Sequence, residues 1–287
     1  MRNMSHPTAI AAVMHDYGLQ AKRNLGQNFF CDDNLLEAMV DASEVGPQDA
    51  VLEIGPGLGA LTQHLCARAA HVTAVEIDGR LIAPLREAVA DFTNVQIVQG
   101  DFLCMEDCKL KQLGAAAFLR VVANLPYYIT TPVLEKLLMS DAHIVSTTVL
   151  VQKEAAGRIL ASPGSKAYGV LSVMVRHFCQ ARACFDVPRQ AFVPQPGVDS
   201  CVVHLCRKEE RVPPACGDAF MMRVVRAGFA MRRKTLLNNL CAPAIGLARD
   251  QAQAILAACG LDARVRGEVL PEETWQHIAE LIAKEIV

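Results

Sequence analysis

A short apolar run followed by a glycine loop constrains this fold more than any other feature of the chain. Ala50–Ile54 has the length and composition of a buried strand, and Gly55, Gly57 and Gly59 follow it, at the start of a helical pattern over Leu58–Ala69. Glycines let the backbone approach a ligand closely, and a helix N-terminus favours negative charge or hydrogen-bond acceptors. The sequence therefore predicts a ligand-binding turn at the end of a buried strand.

Strand and helix patterns alternate from about residue 50 to residue 206. Alternation at this spacing predicts a mostly parallel sheet, here of seven strands, with helices on both faces, as in Rossmann-like α/β domains. The further predicted strands are His71–Glu76, Val95–Val98, Phe118–Ala123 and Ile144–Val151, with antiparallel additions at Ala181–Val187 and Val198–Leu205. The further predicted helices are Arg80–Ala90, Pro132–Met139 and Gln152–Leu160.

A charged segment with two prolines, Lys208–Pro214, ends this alternation and is typical of a linker. Only helical patterns follow it, and the last of them keeps Trp275, Ile278 and Ile282 on one side. We therefore expect two domains, an α/β domain with an N-terminal extension over residues 1–207 and a small all-helical domain over residues 208–287.

Composition and charge favour a cytosolic protein. No apolar run approaches the roughly 18 residues that a membrane-spanning helix needs, and the N-terminus lacks a signal-peptide core. The eleven cysteines are scattered, without the spacing of a metal site, so we expect free thiols in a reducing compartment and no metal. The net charge of −2 gives no global attraction to nucleic acid, so any such binding must use local patches.

Acidic residues lie at the ends of the second and third predicted strands, at positions that suit a nucleoside cofactor. Glu76 ends the second strand, where a carboxylate reaches a ribose diol, and Asp101 follows the third, where it can accept from an adenine amine while Phe102 covers the ring. The glycine loop alone is also consistent with NAD as the cofactor. With Glu53 before it, the loop also resembles the signature of S-adenosylmethionine (SAM) enzymes, whose ligand has no phosphate.

The predicted fourth strand favours SAM, because it ends in Asn124-Leu125-Pro126-Tyr127. Pro126 stiffens this tip, Asn124 offers a carbonyl acceptor and Tyr127 offers a flat face for stacking. The tetrapeptide resembles the [Asn/Asp/Ser]-Pro-Pro-[Tyr/Phe] motif of SAM-dependent methyltransferases that act on the amines of nucleobases. No feature of an NAD dehydrogenase, such as a tyrosine–lysine pair, follows the cofactor half.

Motifs along nearly the whole chain resemble those of the ribosomal RNA adenine dimethylases. They are Leu25–Phe29, Glu53–Gly59, Val75–Asp78, Asn124–Tyr127, Gln152–Glu154, Ser165–Gly169, Phe192–Ser200 and Arg232–Leu236. The full set is most similar to the KsgA family, the small-subunit rRNA adenine-N6,N6 dimethyltransferases. The resemblance implies transfer of methyl groups from SAM to the N6 amines of adenosines, two adjacent ones, in 16S rRNA of the immature 30S subunit.

The resemblance also implies roles for individual residues. The target adenine would be held by Asn124 and the Leu125 carbonyl, stiffened by Pro126, and stacked between Tyr127 and Phe192. The cofactor would be held by Asn28, Phe30, Gly55, Gly57, Gly59, Glu76, Asp101 and Asn124. This chain departs from the family pattern at Tyr128, where Asn is frequent, and at Phe30, where Leu is usual.

A one-signed basic run predicts contact with RNA phosphates, because no acidic residue lies between Asp218 and Asp250. On a continuous helix, Arg223, Arg226 and Arg233 would share one side. The expected RNA-binding residues are Lys22, Arg23, Arg223, Arg226, Arg232, Arg233 and Lys234.

Two other functions stay open at this point. One is a large-subunit (23S) rRNA dimethylase of the antibiotic-resistance type, which shares the catalytic motifs. The Ser165–Gly169 and Phe192–Ser200 segments favour the small-subunit enzyme. The other is a non-catalytic assembly or transcription factor of the same fold, which the intact cofactor residues disfavour. We expect a monomer that acts on the ribosomal subunit in the cytoplasm and has no membrane partner.

Overall fold

The computed structural model describes residues 2–22, 26–113 and 118–286. The chain folds into two compact units. The first, here called the sheet unit, comprises Met1–Ala156 and Ala181–Arg207, and the second, the helical unit, comprises Gly157–Gln180 and Lys208–Val287.

The helices and strands follow the predicted alternation. The strands in the described ranges are β1 (Phe29–Phe30), β2 (Ala50–Ile54), β3 (His71–Glu76), β4 (Val95–Gln99), β5 (Leu119–Asn124), β6 (Ile144–Gln152), β7 (Cys179–Val187), β8 (Phe192–Val193) and β9 (Ser200–Arg207). The helices up to residue 159 are α1 (Pro7–Asp16), α2 (Asp33–Ser43), α3 (Ala60–Arg68), α4 (Ile82–Ala88), α5 (Asp107–Leu113), α6 (Thr130–Met139) and α7 (Lys153–Ile159). The later helices are α8 (Val170–Phe178), α9 (Asp218–Phe229), α10 (Leu236–Leu240), α11 (Arg249–Ala258) and α12 (Glu272–Ile286).

The main sheet has seven strands in the order β4-β3-β2-β5-β6-β9-β7. The strands from β4 to β6 are parallel, and β9 runs antiparallel to β6. This confirms the predicted mostly parallel, Rossmann-like sheet. Every residue of the central strand β2 is buried, as expected for a strand covered on both faces.

The strand order creates a natural place for a ligand. From β2 the chain goes outward through β3 and β4 on one side, and β5 and β6 lie on the other side. In open α/β sheets, ligands bind outside the carboxyl ends of the strands at such a switch in direction. Here that place is the ends of β2 and β5, where the glycine loop and Asn124 lie.

A second, two-stranded sheet fixes the segment that precedes α2. Strand β1 pairs antiparallel with β8, with Phe29 opposite Val193 and Phe30 opposite Phe192. The ring centroids of Phe30 and Phe192 lie 5.2 Å apart with the planes 25° from parallel, a stacked arrangement. Two-residue strands are too short to leave a periodic pattern, so the sequence did not predict this pairing.

The helical unit has its own aromatic core. Trp275, Ile278 and Ile282 of α12 are fully buried, which confirms the predicted apolar side of that helix. The Trp275 ring lies 5.5 Å from the ring of Phe229, and Phe229 lies 6.0 Å from Tyr168. Tyr168 is also buried and donates its hydroxyl to the carbonyl of Leu270.

The observed units differ from the predicted domains for residues 157–180, which belong with the helical unit rather than with the α/β domain. The reason is the packing of α8, which buries His177 between two acidic residues of later helices. Its Nδ1 lies 2.6 Å from Glu272 and its Nε2 lies 2.7 Å from Asp218. Because these partners are distant in sequence, the pattern along the chain could not assign this segment.

Among the described residues, no helix combines the length and the apolar character that a membrane crossing would require. All eleven cysteines are free thiols. The described side chains form no cluster of three or more potential metal ligands.

Candidate active site

A cavity of about 240 Å³ lies at the carboxyl ends of β2, β3 and β5, within the sheet unit. Its wall contains most of the residues that the sequence predicts to bind the cofactor or the target base. These are Asn28, Phe30, Gly55, Gly57, Glu76, Asp101, Asn124, Leu125, Pro126 and Tyr127. The structure thus brings together residues that are separated by as many as 99 positions in sequence, from 28 to 127.

The glycine loop forms one wall of this cavity, and different structural constraints require glycine at its three glycine positions. Gly55, Gly57 and Gly59 all have positive φ. At Gly57, an added Cβ would lie 3.1 Å from the Phe29 ring, so the residue also permits close approach of the segment that carries Phe29. Gly59 does not line the cavity; an added Cβ there would lie 2.9 Å from Leu85 of α4. Gly59, at the N-terminus of α3, thus has a packing reason to be glycine, and its contact with the cofactor stays a prediction.

Glu76 stands at the end of β3 with its carboxylate held by the backbone. One oxygen accepts from the Gly57 amide at 3.0 Å and the other from the Asp78 amide at 2.8 Å. Burial raises the pKa of Glu76, while these two amide donors oppose that shift. The carboxylate is thereby fixed in the cavity wall, where the sequence predicts that it binds the ribose.

Glu53, at the end of β2, is a second acidic residue of the wall that the predicted site residues omit. Its Oε2 atom is buried and has no hydrogen-bond partner among the described residues. Burial, with a smaller contribution from the nearby Glu76 carboxylate, raises the pKa of Glu53 to about 8. The position of Glu53 in the glycine-loop signature is the feature of the sequence that could have indicated a role in the site. Because its buried oxygen has no partner among the described residues, Glu53 can bind a cationic or hydrogen-donating group.

Asp101 and Phe102 follow β4 and form the far wall of the cavity. The Asp101 carboxylate accepts from the Leu103 amide at 2.8 Å and remains exposed, so it can accept a further donor. Phe102 is buried, and the Lys136 ammonium lies 5.6 Å from its ring centroid. This pair has the exposed carboxylate and the apolar face that the sequence predicts for an adenine.

The tip of β5 presents Asn124 with its amide orientation fixed. The Asn124 Nδ2 atom donates to the backbone carbonyl of Asn28 at 3.2 Å, which leaves Oδ1 as the end that faces other partners. Tyr127 is half-buried, and its hydroxyl lies 3.2 Å from the Ser200 hydroxyl. Burial raises the pKa of Tyr127, so the phenol stays neutral at physiological pH. The tip therefore offers a fixed acceptor next to an anchored aromatic ring.

Phe192, another aromatic residue of the predicted site, lies differently from what the sequence suggests. Phe192 does not reach the cavity wall, because it is only 2% exposed and stacks behind Phe30. Phe30, not Phe192, lines the cavity. Tyr128, which departs from the family pattern, lines the cavity and is 58% exposed.

The basic residues fall into two groups. Lys22 lies 3.6 Å from the Asp78 carboxylate, and Arg23 lies outside the described residues. In the helical unit, the predicted continuous helix is wrong, because α9 ends at Phe229 and Arg233 lies in the turn that follows. Asn239 caps this end of the helix by donating to the Gly228 carbonyl at 2.6 Å.

The basic side chains around that turn have different surroundings. Arg232 donates to the carbonyls of Lys166 and Tyr168 and lies 3.3 Å from the Glu268 carboxylate, so it stabilises the fold of the helical unit. The Arg223 guanidinium covers the Phe220 ring at 4.7 Å, and Arg226 lies one turn further along α9. Arg233 and Lys234 are exposed.

The residues of the cavity fit SAM. Glu76 is a fixed acceptor of the kind that ribose hydroxyls need, Asp101 is an exposed acceptor of the kind that an adenine amine needs, and the buried Glu53 oxygen lacks the donor that the amino group of the methionine part would supply. The loop offers backbone groups and no cluster of cations for phosphates. This fold and this site define a SAM-dependent methyltransferase, and the NAD alternative is not retained.

Comparisons with known proteins give the family. The sequence profile of the ribosomal RNA adenine dimethylases matches residues 18–284. Ribosomal RNA small subunit methyltransferase A of Bacillus mycoides (strain KBAB4) is 39% identical over 286 residues, which cover 98% of this chain and 98% of that protein. The chain therefore belongs to the ribosomal RNA adenine dimethylase family, and it is an enzyme, not a non-catalytic relative of this fold.

Two solved structures are similar over most of their length. A dimethyladenosine transferase from Plasmodium falciparum superposes with a TM-score of 0.75 at 24% identity, over 88% of this chain and 97% of its own. The 23S rRNA methyltransferase ErmE superposes with a TM-score of 0.68 at 27% identity, over 89% of this chain and 100% of its own. The fold is thus shared with a 23S rRNA methyltransferase, and the full-length identity of 39% to a small subunit methyltransferase favours the small-subunit branch.

Proposed function

We propose that this enzyme dimethylates the N6 amines of two adjacent adenosines in 16S rRNA while the small ribosomal subunit is being assembled. The observation that carries this proposal is the orientation of Asn124, whose Nδ2 atom is engaged by the Asn28 carbonyl. Its Oδ1 atom is then available to accept a hydrogen bond from an exocyclic amine.

The cofactor, when bound, supplies a methyl group on a sulfonium, which is a good leaving group. The residues of this chain would hold it at Glu76, Asp101, Asn28, Phe30 and the backbone of the glycine loop. The enzyme then has little acid–base work to do, and its main contribution is alignment of the amine with the methyl group.

Asn124 and the Leu125 carbonyl act on the adenine amine. The lone pair of that nitrogen is delocalised into the ring. Two acceptors at the N–H groups favour a pyramidal nitrogen whose lone pair points at the methyl group. That interaction is strongest in the transition state, so it lowers the barrier more than it tightens substrate binding.

Tyr127 holds the target base after it leaves the stack. A base that stacks on an aromatic side chain gains roughly 1–3 kcal/mol, which offsets the cost of unstacking it from the RNA. The contact between the Tyr127 and Ser200 hydroxyls fixes the ring for this role. Phe192 contributes indirectly, because it supports the Phe30 ring from behind.

The basic residues bind the surrounding RNA by phosphate contacts, which position the substrate without reading its sequence. Arg233, Lys234, Arg223 and Arg226 in the helical unit and Lys22 in the sheet unit carry this role. The cofactor cavity is built within one sheet unit, so we propose that the enzyme acts as a monomer. We propose that it meets its ribosomal substrate in the cytoplasm.

The decisive experiment compares the two ribosomal subunits as substrates. Unmethylated small subunits and large subunits are incubated separately with the enzyme and SAM carrying a labelled methyl group, and the rRNA is then digested and analysed by mass spectrometry. We expect label in N6,N6-dimethyladenosine of the small-subunit rRNA. Label only in large-subunit rRNA would support the 23S alternative and overturn the proposal, as would transfer to neither subunit.

A further inference from the structure

Asp78, two residues beyond Glu76, is linked to several neighbours at once. It is only 5% exposed, and its carboxylate accepts from the Gln27 side chain at 3.0 Å and from Arg80 through two nitrogens at 3.0 and 2.6 Å. The Lys22 ammonium lies 3.6 Å away. Foremost Arg80, and also Gln27, hold the pKa of Asp78 far below its usual range. The Asp78 carboxylate is therefore ionised and remains a strong acceptor.

Gln27 uses both ends of its amide. Its Nε2 donates to Asp78, and its Oε1 accepts from the Lys22 amide at 2.8 Å. The backbone amide of Gln27 also donates to the Lys22 carbonyl at 3.3 Å. Gln27 thus holds Lys22 beside it and fixes both to Asp78. An alanine here would lose the link to Asp78, and a glutamate would repel it.

The segment that contains Gln27 crosses from one side of the cavity to the other. We call residues 26–30 the strap. Gln27 attaches it to Asp78, whose own amide holds the Glu76 carboxylate. The Asn28 carbonyl attaches it to Asn124, and Phe29 and Phe30 attach it to β8. Every residue of the strap lines the cavity.

We infer that Gln27 and Asp78 form a latch that holds the strap across the cofactor cavity and so keeps Glu76 and Asn124 in their binding arrangement. Both are positioning residues; neither needs to touch the reacting atoms. A strap that is already ordered costs less conformational entropy when a ligand binds, so the latch strengthens cofactor binding without contacting the cofactor. The part of the inference that concerns Asn124 rests on the proposed function, whereas the part that concerns the cofactor does not.

The test uses the full-length protein and S-adenosylhomocysteine as the probe, so that binding is measured without turnover. Titration calorimetry of Gln27→Ala should give an affinity about 10-fold weaker than that of the wild type, which corresponds to the removal of one hydrogen bond to a charged group. Hydrogen–deuterium exchange of the amides of residues 26–30 should be faster, while exchange in α12 should stay unchanged. Wild-type affinity together with wild-type exchange in the strap would overturn the inference.

Two further variants separate the latch from general damage around Asp78. Arg80→Ala removes a different partner of the same carboxylate without touching the strap, and we expect an affinity within about 2-fold of the wild type. Gln27→Glu should weaken binding more than Gln27→Ala, because two carboxylates then face each other. In the double variant Gln27→Glu with Asp78→Asn, the asparagine side chain donates and the glutamate carboxylate accepts, so the hydrogen bond is restored in the opposite direction. We expect this double variant to recover part of the affinity that Gln27→Glu loses.

These results are independent of the proposed RNA substrate. If the double variant bound the probe no better than Gln27→Glu alone, the pairing of the two side chains would not be what holds the strap, and the inference would fail. Wild-type protein that bound the probe but methylated neither ribosomal subunit would instead contradict the proposed function and leave the latch standing.

Discussion

The side chain of Asn124 donates to the backbone carbonyl of Asn28, a residue 96 positions earlier in the chain. This hydrogen bond joins the tip of β5 to the strap, and it sets which end of the Asn124 amide faces the cavity. A catalytic acceptor is useful only if its orientation is fixed before the substrate arrives. Asn124 meets that condition through a backbone group, which substitution at residue 28 would not remove.

Replacement of Asn124 by alanine should abolish methyl transfer. The variant loses the acceptor for the target amine, and we expect the rate of transfer to small-subunit rRNA to fall at least about 100-fold, comparable with the loss of one preorganised hydrogen-bonding group in other enzymes. Binding of S-adenosylhomocysteine should weaken only a few-fold, because Glu76 and Asp101 remain. Single-turnover kinetics and calorimetry measure the two effects separately. Substantial transfer by this variant would remove Asn124 from the catalytic residues.

A matched control is Asn94→Ala. Asn94 also donates its side-chain nitrogen to backbone carbonyls, those of Cys66 and Ala69, but it lies outside the cavity wall. We expect this variant to lose some stability and to keep the wild-type rate of transfer under conditions where it is folded.

Glu53 should make the stability of the ligand-free protein depend on pH. Its pKa is about 8 in the folded protein and near 4.5 in an unfolded chain, so between these values the unfolded state binds fewer protons than the folded state. The contribution of Glu53 to the free energy of unfolding then falls as the pH rises from about 4.5 to 8. Glu53→Gln stays neutral, and we expect its melting temperature to equal that of the wild type near pH 4.5 and to exceed it by several degrees at pH 8.

The comparison between the two proteins cancels the other titrating groups, since they are the same in both. A difference in melting temperature that did not grow with pH would show that Glu53 is already ionised in the folded protein at neutral pH. Thermal unfolding followed by circular dichroism at a series of pH values is sufficient for this measurement.

Much of the sheet unit follows from local patterns and could be predicted. The bounds of β2 and β3 are those predicted from apolar runs, and the predicted positions of Glu76, Asp101 and Asn124 at strand ends place them in one cavity. Parallel strands bring their carboxyl ends to one edge of the sheet, so a residue at the end of a strand has a position that follows from topology alone.

What could not be predicted depends on interactions between distant parts of the chain. Phe192 occupies a family motif, but only the pairing of β1 with β8 determines that it lies behind Phe30 rather than at the cavity. Gly59 belongs to the glycine signature, but only the proximity of Leu85 shows its packing constraint. The sequence from Arg223 to Lys234 has a helical period, but the helix ends at Phe229, where Asn239, a residue beyond the pattern, caps the Gly228 carbonyl.

The exposed cations of the turn after α9 should contribute to RNA binding. Reversal of both Arg233 and Lys234 to glutamate should weaken binding of small-subunit rRNA, and the plot of log affinity against log salt should become less steep by about one unit for each phosphate that the variant no longer neutralises. Arg232 is left unchanged, because its interactions with Glu268 and two carbonyls make its removal a structural change.

A control must carry the same change in net charge at another place. Arg86→Glu with Lys109→Glu reverses two exposed cations, one on α4 and one on α5. If binding curves over a range of salt concentrations showed the same loss for both double variants, the effect would come from net charge, and the turn would be an ordinary solvated surface.

Gly228 of α9 should not tolerate a side chain. An added Cβ would lie 2.3 Å from Cη2 and 2.7 Å from Cζ3 of Trp275, a ring that is fully buried and cannot move aside without disturbing Phe229. Overpacking of this kind typically costs about 1–3 kcal/mol, and an approach this close places the cost of Gly228→Ala at or above the upper end of that range.

Gly157→Ala is the matched control, because nothing lies within 4 Å of its Cβ position and it sits inside α7, where alanine is the better helix former. Chemical denaturation should show a large loss of unfolding free energy for Gly228→Ala and none for Gly157→Ala. A wild-type unfolding curve for Gly228→Ala would mean that Trp275 can repack, and the aromatic core of the helical unit would then be more adaptable than its packing indicates.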